Sequence, residues 1–382
     1  MTQAMTAQGG LDRLSPADRV ASLTGVRAVA ALLVVGTHAA YTTGKYTHGY
    51  LGLMGSRLEI GVPIFFVLSG FLLFRPWVRA VVAGGPAPSL TRYTTRRVRR
   101  IMPAYLITVL AAYLIYSFRM AGPNPGHTWS GLIRNLTLTQ IYTDGYLGAY
   151  LHQGLTQMWS LAVEASFYLV LPLLAYVLLV LICRRCWRPR QLLTALLVLG
   201  AISPVWLILV HTTGWLPDGA RLWLPTYLVW FIGGMLLAVL QAMDVRCYAF
   251  AAIPLAIVCY LIVSTPIAGA PTTSPPGLIA ALAKAIFYAV IATLAVAPLA
   301  LVGAEDAPGW YIRLLASKPM VWLGEISYEI FLIHLITMEI VMVEVLRDRV
   351  YTGSMLNLFL GTVAVTIPLA WLLHRFTRVR AE

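Results

Sequence analysis

Long apolar runs separated by short polar breaks dominate the pattern of this 382-residue chain. A helix needs about 20 mainly apolar residues to cross the hydrocarbon core of a bilayer. The breaks contain Gly and Pro, as in AGGPAPS and AGPNPGH, which end helices. The pattern therefore predicts an all-α, polytopic transmembrane bundle of about ten spans, at residues 23–42, 59–78, 101–118, 159–182, 191–211, 222–241, 248–265, 277–300, 320–343 and 356–374.

The composition agrees with a membrane protein and excludes several soluble classes. Hydrophobic residues make up 59% of the chain and charged residues 11%, whereas a soluble domain has about 25% charged residues. A net charge of +13 is common in nucleic-acid-binding domains. Here the 25 arginines and 3 lysines lie mostly between apolar runs. We therefore expect membrane lipids, and no nucleic acid, as partners.

The basic residues also predict an orientation, because cytoplasmic loops are enriched in Lys and Arg. With the N-terminus inside, the cytoplasmic segments and adjoining span ends carry 20 basic residues, the outer ones carry 7, and Lys284 lies within a span. Both termini are therefore predicted to be cytoplasmic, with a polar segment 1–22, a membrane bundle 23–374 and a tail 375–382. Segment 1–22 lacks the features of a cleavable signal peptide, so the first span is expected to direct insertion.

Two connections are unusual. The cytoplasmic loop 79–100 ends in Arg96-Arg97-Val98-Arg99-Arg100. Such clusters commonly contact lipid phosphates, but guanidinium groups also bind the phosphates of an anionic cofactor. The outer loop 119–158 is long enough to carry structure of its own, and its amphipathic middle part is expected to lie at the membrane interface or over the mouth of the bundle.

Ionisable side chains within the spans are rare and costly, by about 2.5–3.5 kcal/mol on insertion scales. They are Arg27, His38, Glu164, Lys284, Glu325, Glu329, His334 and Glu339, with Glu59 at the mouth of the second span. The spacing of Glu325, Glu329 and His334 does not bring these three side chains to one helix face, and the Cys183-x-x-Cys186 pair has no second ligand pair nearby. No metal site is expected.

Arg27 and His38 are eleven residues apart, which is close to three helical turns and about 16 Å along one face. A buried histidine in this position is either a general base or a packing residue hydrogen-bonded to a neighbouring helix. Glu164 could orient that histidine, accept a proton or pair with an arginine. Lys284 is far enough from the span end that we expect a glutamate or a carbonyl oxygen as its partner.

Several strings occur in an order that resembles bacterial acyltransferase family 3, which comprises multi-pass membrane O-acyltransferases. They are LTGVRAVAALLVVGTHA with Arg27 and His38, GVPIFFVLSGFLL (61–73), RRVRRIMPAY (96–105), WSLAVEASFYL (159–169) and ISYEIFLIHL (326–335). The resemblance covers nearly the whole chain. One departure is that Ala165 and Ser166 follow Glu164, where the family commonly has acidic or amide residues.

The resemblance implies a transfer of an acetyl or other short acyl group, such as succinyl, from cytoplasmic acyl-coenzyme A. The acceptor would be a hydroxyl of an envelope glycolipid or polysaccharide, and the protein would lie in the bacterial cytoplasmic membrane. It implies that Arg27, Arg97 and Arg100 bind the donor and that His38 acts as general base, with Glu164 in support. A covalent acyl-histidine is the alternative. Ser327 and Tyr328 are expected to be packing residues.

Two other classes of function remain open at this stage. A transporter or flippase of an envelope precursor would suit ten spans with buried charges, although no inverted repeat or matched pair of broken helices is visible. A scaffold subunit would use the same residues for packing and would tolerate the loss of His38.

Overall fold

The computed structural model describes residues 16–119, 123–144, 151–270, 276–303 and 309–378. Over these ranges the chain forms helices and no β-strand. The helices are α1 (Pro16–Thr42), α2 (Gly49–Arg57), α3 (Gly61–Val82), α4 (Leu90–Phe118), α5 (Trp129–Leu136), α6 (Trp159–Ala175), α7 (Pro189–Gly200), α8 (Ile202–Thr212), α9 (Leu224–Ala242), α10 (Ala249–Val263), α11 (Leu278–Ala300), α12 (Trp310–Leu315), α13 (Lys318–Glu325), α14 (Ser327–Ile340) and α15 (Met355–Thr377).

Eight helical segments of the described chain are long and apolar enough to cross a membrane. A ninth candidate is the pair Lys318–Glu325 and Ser327–Val345, which is bent by 68°. The predicted seventh span coincides with α10, whose 15 residues are fewer than a full crossing normally needs. The all-helical membrane bundle is thus confirmed, while the count of ten spans and the orientation of the termini remain predictions.

The predicted ninth span is wrong as a continuous helix. The chain turns at Ile326, between α13 and α14. Gly324, in the last turn of α13, lies so close to the Thr24 carbonyl of α1 that a Cβ atom would overlap it. This contact holds α13 across the start of α1, and α14 then runs separately beside α1. Glu325 consequently lies on the exposed surface, away from the buried Glu329.

The tightest helix pair in the bundle is α3 with α9. A Cβ atom at Gly70 would overlap the Phe231 carbonyl oxygen, and one at Gly234 would overlap the Val67 carbonyl oxygen. Small residues of this kind let membrane helices approach backbone to backbone. The ring of Phe231 also stacks on Phe66, with centroids 4.4 Å apart. This pair forms a rigid wall beside the cavities described below.

The predicted outer loop contains α5 and a 3₁₀ segment, Gln153–Met158, both packed on the end of α4. The Tyr113 hydroxyl donates to the Gly126 carbonyl oxygen at 2.8 Å, and His127 Nδ1 lies 3.1 Å from His152 Nε2. His152 is 1% exposed. Burial, together with the neighbouring His127, lowers the pKa of His152 to about 4. The part of this loop at residues 145–150 lies outside the described residues.

Candidate active site

Four of the five predicted site residues line one cavity of about 840 Å³, which we call the arginine cavity. They are Arg27 of α1, Arg97 and Arg100 of α4, and Glu164 of α6. Arg97, Arg100 and Glu164 lie within electrostatic range of the Arg27 guanidinium. The cavity therefore carries three positive side chains and one carboxylate, a composition that suits an anionic ligand with several phosphate oxygens.

The run of arginines before Ile101 divides between two environments. Arg97 and Arg100 are three residues apart on α4 and therefore share a face, which borders the arginine cavity. Arg97 is half-buried and Arg100 is exposed at the cavity mouth. Arg96 and Arg99 are exposed and do not line it. One cluster thus provides two cavity residues and two surface residues.

Glu164 is held by two hydroxyl donors. The Ser69 hydroxyl of α3 donates to Glu164 Oε1, and the Tyr168 hydroxyl, one turn further along α6, donates to the same atom at 2.5 Å. The Tyr93 hydroxyl of α4 in turn donates to the Tyr168 carbonyl oxygen at 3.0 Å. These bonds fix the carboxylate on the wall of the arginine cavity and link α3, α4 and α6 around it.

His38 lies in a different cavity, which we call the histidine cavity and which has a volume of about 850 Å³. Its wall also contains Tyr41, Gln153, Thr156 and Glu339. The Tyr116 hydroxyl donates to Glu339 Oε2. Arg27 and His38 lie about three turns apart on α1, and they line two different cavities.

His334 of α14 lies between the two cavities. Its ring centroid is 5.1 Å from that of His38 and 5.9 Å from that of Phe331, which lines the arginine cavity. Nδ1 of His334 lies 3.2 Å from the Ile330 carbonyl oxygen and 2.8 Å from that of Phe331. Because carbonyl oxygens only accept, Nδ1 carries the proton and Nε2 presents a lone pair. Within the described chain, this buried Nε2 atom has no hydrogen-bond partner.

Sequence reasoning missed several of these residues. Ser327 and Tyr328, which were expected to be packing residues, also line the arginine cavity. The contact of Tyr168 with Glu164 could have been predicted from the sequence, because residues four apart on a helix are neighbours. His334 stood out as an ionisable residue within a span, but nothing in a single sequence indicates that it faces His38, almost 300 positions away.

The expected partner of Lys284 is present. Its Nζ lies 2.5 Å from Glu59 Oε1. Over the part of the chain that the structure describes, no three His, Cys, Asp or Glu side chains come together as a possible metal site.

In the comparison with known proteins, a family model and one relative each match nearly the whole chain. The model of acyltransferase family 3, described as an acyltransferase domain, matches residues 20–375. The peptidoglycan O-acetyltransferase OatA of Listeria monocytogenes is 25% identical over 386 aligned residues, which cover 94% of this chain and 55% of that protein. The acyltransferase MdmB of Streptomyces mycarofaciens is 33% identical over 175 residues, 44% of this chain and 42% of MdmB.

A third relative is the O-acetyltransferase OatA of Staphylococcus aureus, 27% identical over 44% of this chain and 27% of that protein. The chain thus spans about half the length of the first of these relatives and covers smaller shares of the other two. No solved structure matches the chain.

Proposed function

Because the chain belongs to acyltransferase family 3, we propose that it is a membrane O-acyltransferase acting on the cell envelope of a bacterium. The donor is a cytoplasmic acyl-coenzyme A carrying an acetyl or other short acyl group. The acceptor is a hydroxyl of an envelope glycolipid or polysaccharide. One observation carries the proposal: a cationic cavity and a cavity that contains His38 are separated by the packed rings of Phe331 and His334.

The arginine cavity is the proposed donor site. Coenzyme A carries several phosphate oxygens, which guanidinium groups bind in a bidentate manner. Arg100 at the mouth and Arg97 further in are placed to bind them in sequence, with Arg27 beyond. The acyl end then points towards Phe65 and Phe331, the apolar residues at the inner wall. Movement of these two rings would bring the thioester to the imidazole of His38.

The histidine cavity is the proposed acceptor site. The acceptor hydroxyl attacks the thioester carbonyl carbon, a new C–O bond forms and the C–S bond breaks. His38 takes the hydroxyl proton, and this proton passes to the departing thiolate, so that the products are an ester and free coenzyme A. The ring of His334 packs beside His38 and presents its Nε2 lone pair. The two neutral imidazoles can therefore accept this proton together and pass it on.

The names of the relatives support an envelope acceptor. Two of those reported are O-acetyltransferases, and one of these is named for peptidoglycan. The acceptor class is therefore a glycan of the envelope, presented to the outer end of the bundle. Glu339 and Gln153, which also line the histidine cavity, are polar groups able to orient its hydroxyls.

The test is release of free thiol from acetyl-coenzyme A by the purified protein in the presence of an envelope glycolipid extract. We expect His38→Ala to lower the extract-dependent rate by about 10²–10⁴-fold, the usual contribution of general acid–base catalysis. His48→Ala is the matched control, because His48 is exposed at the same end of α1 and is expected to retain the wild-type rate.

Equal rates for wild type and His38→Ala would remove His38 from the chemistry. Absence of thiol release in both, together with uptake of an unmodified precursor into vesicles, would favour the transporter alternative. Trapping of an acylated His38 after brief mixing with the donor alone would replace direct transfer by a covalent intermediate.

A further inference from the structure

A third cavity lies between α3, α8, α9 and α11 and has a volume of about 820 Å³. We call it the lysine cavity, because Lys284 of α11 lies on its wall opposite aromatic residues of α9. It contains neither His38 nor any of the arginines assigned to the donor. Nothing in the proposed chemistry requires it, so its polar lining needs a separate explanation.

The charges on the wall and directly behind it do not balance, because Arg57 lies behind Glu59 and does not line the cavity. Glu59 Oε1 lies 2.5 Å from Lys284 Nζ and 3.8 Å from Arg57 Nη1, and it accepts a hydrogen bond from the Tyr288 hydroxyl at 2.8 Å. Two cations thus share one carboxylate. Arg221 at the rim is already paired with Asp218. The described residues therefore leave the cavity with one net positive charge.

Arg57 and Lys284 differ in where they lie. Arg57 is 2% exposed and donates to the carbonyl oxygens of Ala268 at 3.0 Å and Gly269 at 2.5 Å. About a quarter of the Lys284 and Glu59 side chains remains exposed, although both lie within the bundle. This exposed surface faces the cavity. Lys284 is therefore the cation that a ligand can reach, with Arg57 as fixed charge behind Glu59.

An aromatic band forms the facing wall. The Trp159 and Tyr227 ring centroids are 4.9 Å apart, those of Tyr227 and Trp230 are 4.8 Å apart, and those of Trp230 and Tyr288 are 6.0 Å apart. The Trp230 indole N–H donates to the Ala285 carbonyl oxygen at 2.9 Å, which fixes its orientation. Aromatic faces carry partial negative charge, and the weakly positive C–H groups of a sugar ring pack well against them.

The lysine cavity adjoins both parts of the proposed active site. Val62 lines the lysine cavity and the arginine cavity alike. Tyr288, on the wall of the lysine cavity, lies within electrostatic range of Tyr41, on the wall of the histidine cavity. The lysine cavity is therefore a neighbour of the proposed active site, and we assign it to the same acceptor.

We propose that the lysine cavity binds a sugar unit that bears one carboxylate, with the carboxylate on Lys284 and the ring against Trp159 and Trp230. The single negative charge matches the single excess positive charge. A lipid chain would leave these charged groups against hydrocarbon, which is unfavourable. The assignment of this unit to the acceptor rests on the proposed function, whereas the binding itself does not.

The test compares methyl β-D-glucuronide with methyl β-D-glucoside, which differ in the carboxylate. Binding is measured by saturation-transfer NMR on the protein in phosphatidylcholine nanodiscs, without any acyl donor. We expect the glucuronide to bind about tenfold more tightly, as befits a hydrogen bond to a charged group. Lys284→Met should abolish this preference, Lys284→Arg should retain it, and Glu59→Gln should increase it.

Equal affinity for the two sugars in the wild type would overturn the proposal, as would a preference that survives Lys284→Met. Lys284→Arg is the check on folding, because it keeps the charge and the length of the side chain. The experiment uses no coenzyme A. Failure of thiol release would therefore overturn the proposed function and leave this binding result unaffected. Equal binding of the two sugars would overturn the binding proposal and leave the proposed function unaffected.

Discussion

Arg99 and Arg100 are adjacent in the chain, yet only Arg100 borders the arginine cavity. We expect Arg100→Gln to raise the KM for acyl-coenzyme A by about tenfold or more, because a charge-assisted hydrogen bond contributes about 1.5–3 kcal/mol. The kcat should change less, since Arg100 lies at the mouth of the cavity, away from His38. Initial rates of thiol release at varied donor concentration measure both constants.

Arg99→Gln is the matched control for this substitution and should leave both constants unchanged. A similar rise in KM for both variants would show that the cluster acts only through its general positive charge. Donor binding would then follow the surface potential, and the two arginines on the cavity wall would have no special part in it.

Side-chain contacts within one helix could be foreseen, and contacts between distant helices could not. Glu164 and Tyr168 are four residues apart on α6, so helix geometry alone makes them neighbours. The ionisable residues also stood out individually, because each is costly in a membrane. The contact of His38 with His334, in contrast, depends on how α14 is placed beside α1. Helix geometry predicts which face of α1 carries His38, but it does not predict which other helix packs on that face.

The crossing of α3 and α9 depends on glycine at the point of contact. We expect Gly234→Ala to lower the free energy of unfolding by about 1–3 kcal/mol, because the methyl group would force the two backbones apart. Gly214→Ala is the control, since a Cβ atom there would meet nothing within 4 Å. Thermal unfolding of the detergent-solubilised variants measures the difference. Equal losses for both variants would show that the crossing has room to adjust.

The segment around His152 should loosen in acid. The pKa of His152, lowered to about 4 in the folded protein, lies below the value of about 6.5 for an unfolded histidine. The unfolded form therefore binds the proton more readily, so this stabilisation is complete above about pH 6.5 and is lost as the pH falls towards 4. The groups that face His152 are His127, Tyr113 and Tyr116, with Glu339 behind Tyr116.

Hydrogen exchange of residues 123–128, measured from pH 7 to pH 4 and corrected for the intrinsic rate, checks this expectation. Protection should fall across that range in the wild type and stay level in His152→Gln. The connection at residues 83–89 contains no histidine and serves as the internal reference. Constant protection in the wild type would mean that His152 does not control the segment.

Apolar runs predicted the helices well, but they did not predict how the helices are interrupted. The run over 320–343 contains no proline, and its polar cluster Gly-Glu-Ile-Ser-Tyr-Glu at 324–329 marks the place of the bend, but hydropathy averaged over the run reads it as one span. The bend at Ile326 lies directly beside the close contact of Gly324 with α1. The polar cluster alone does not distinguish a bent helix from a straight one, because the bend becomes visible only when α13 is placed against α1.

The orientation of the whole bundle can be tested through Cys186, which is the exposed one among the four cysteines. It lies between the fourth and fifth predicted spans, on the side expected to be cytoplasmic. In a variant that keeps Cys186 as its one cysteine, a membrane-impermeant maleimide should label inverted vesicles and not intact spheroplasts. Trp215→Cys, in a cysteine-free background, should give the opposite result, because Trp215 is 87% exposed in a segment predicted to be outside. Labelling of Cys186 in spheroplasts would reverse the orientation.

The rings of Phe331 and His334 pack between the arginine cavity and the histidine cavity. Their position bears on how the reaction depends on the membrane potential and on whether protons leak through the protein. Moving one elementary charge across a membrane potential of 100 mV costs or releases about 2.3 kcal/mol of free energy, depending on the direction. In the proposed reaction an acetyl group travels outward and the hydroxyl proton travels inward, so the exchange of this neutral acyl group for hydrogen transfers no net charge. Turnover should therefore draw nothing from the proton-motive force. The same two rings, by excluding a continuous column of water, would keep protons from leaking along the route that the acyl group takes.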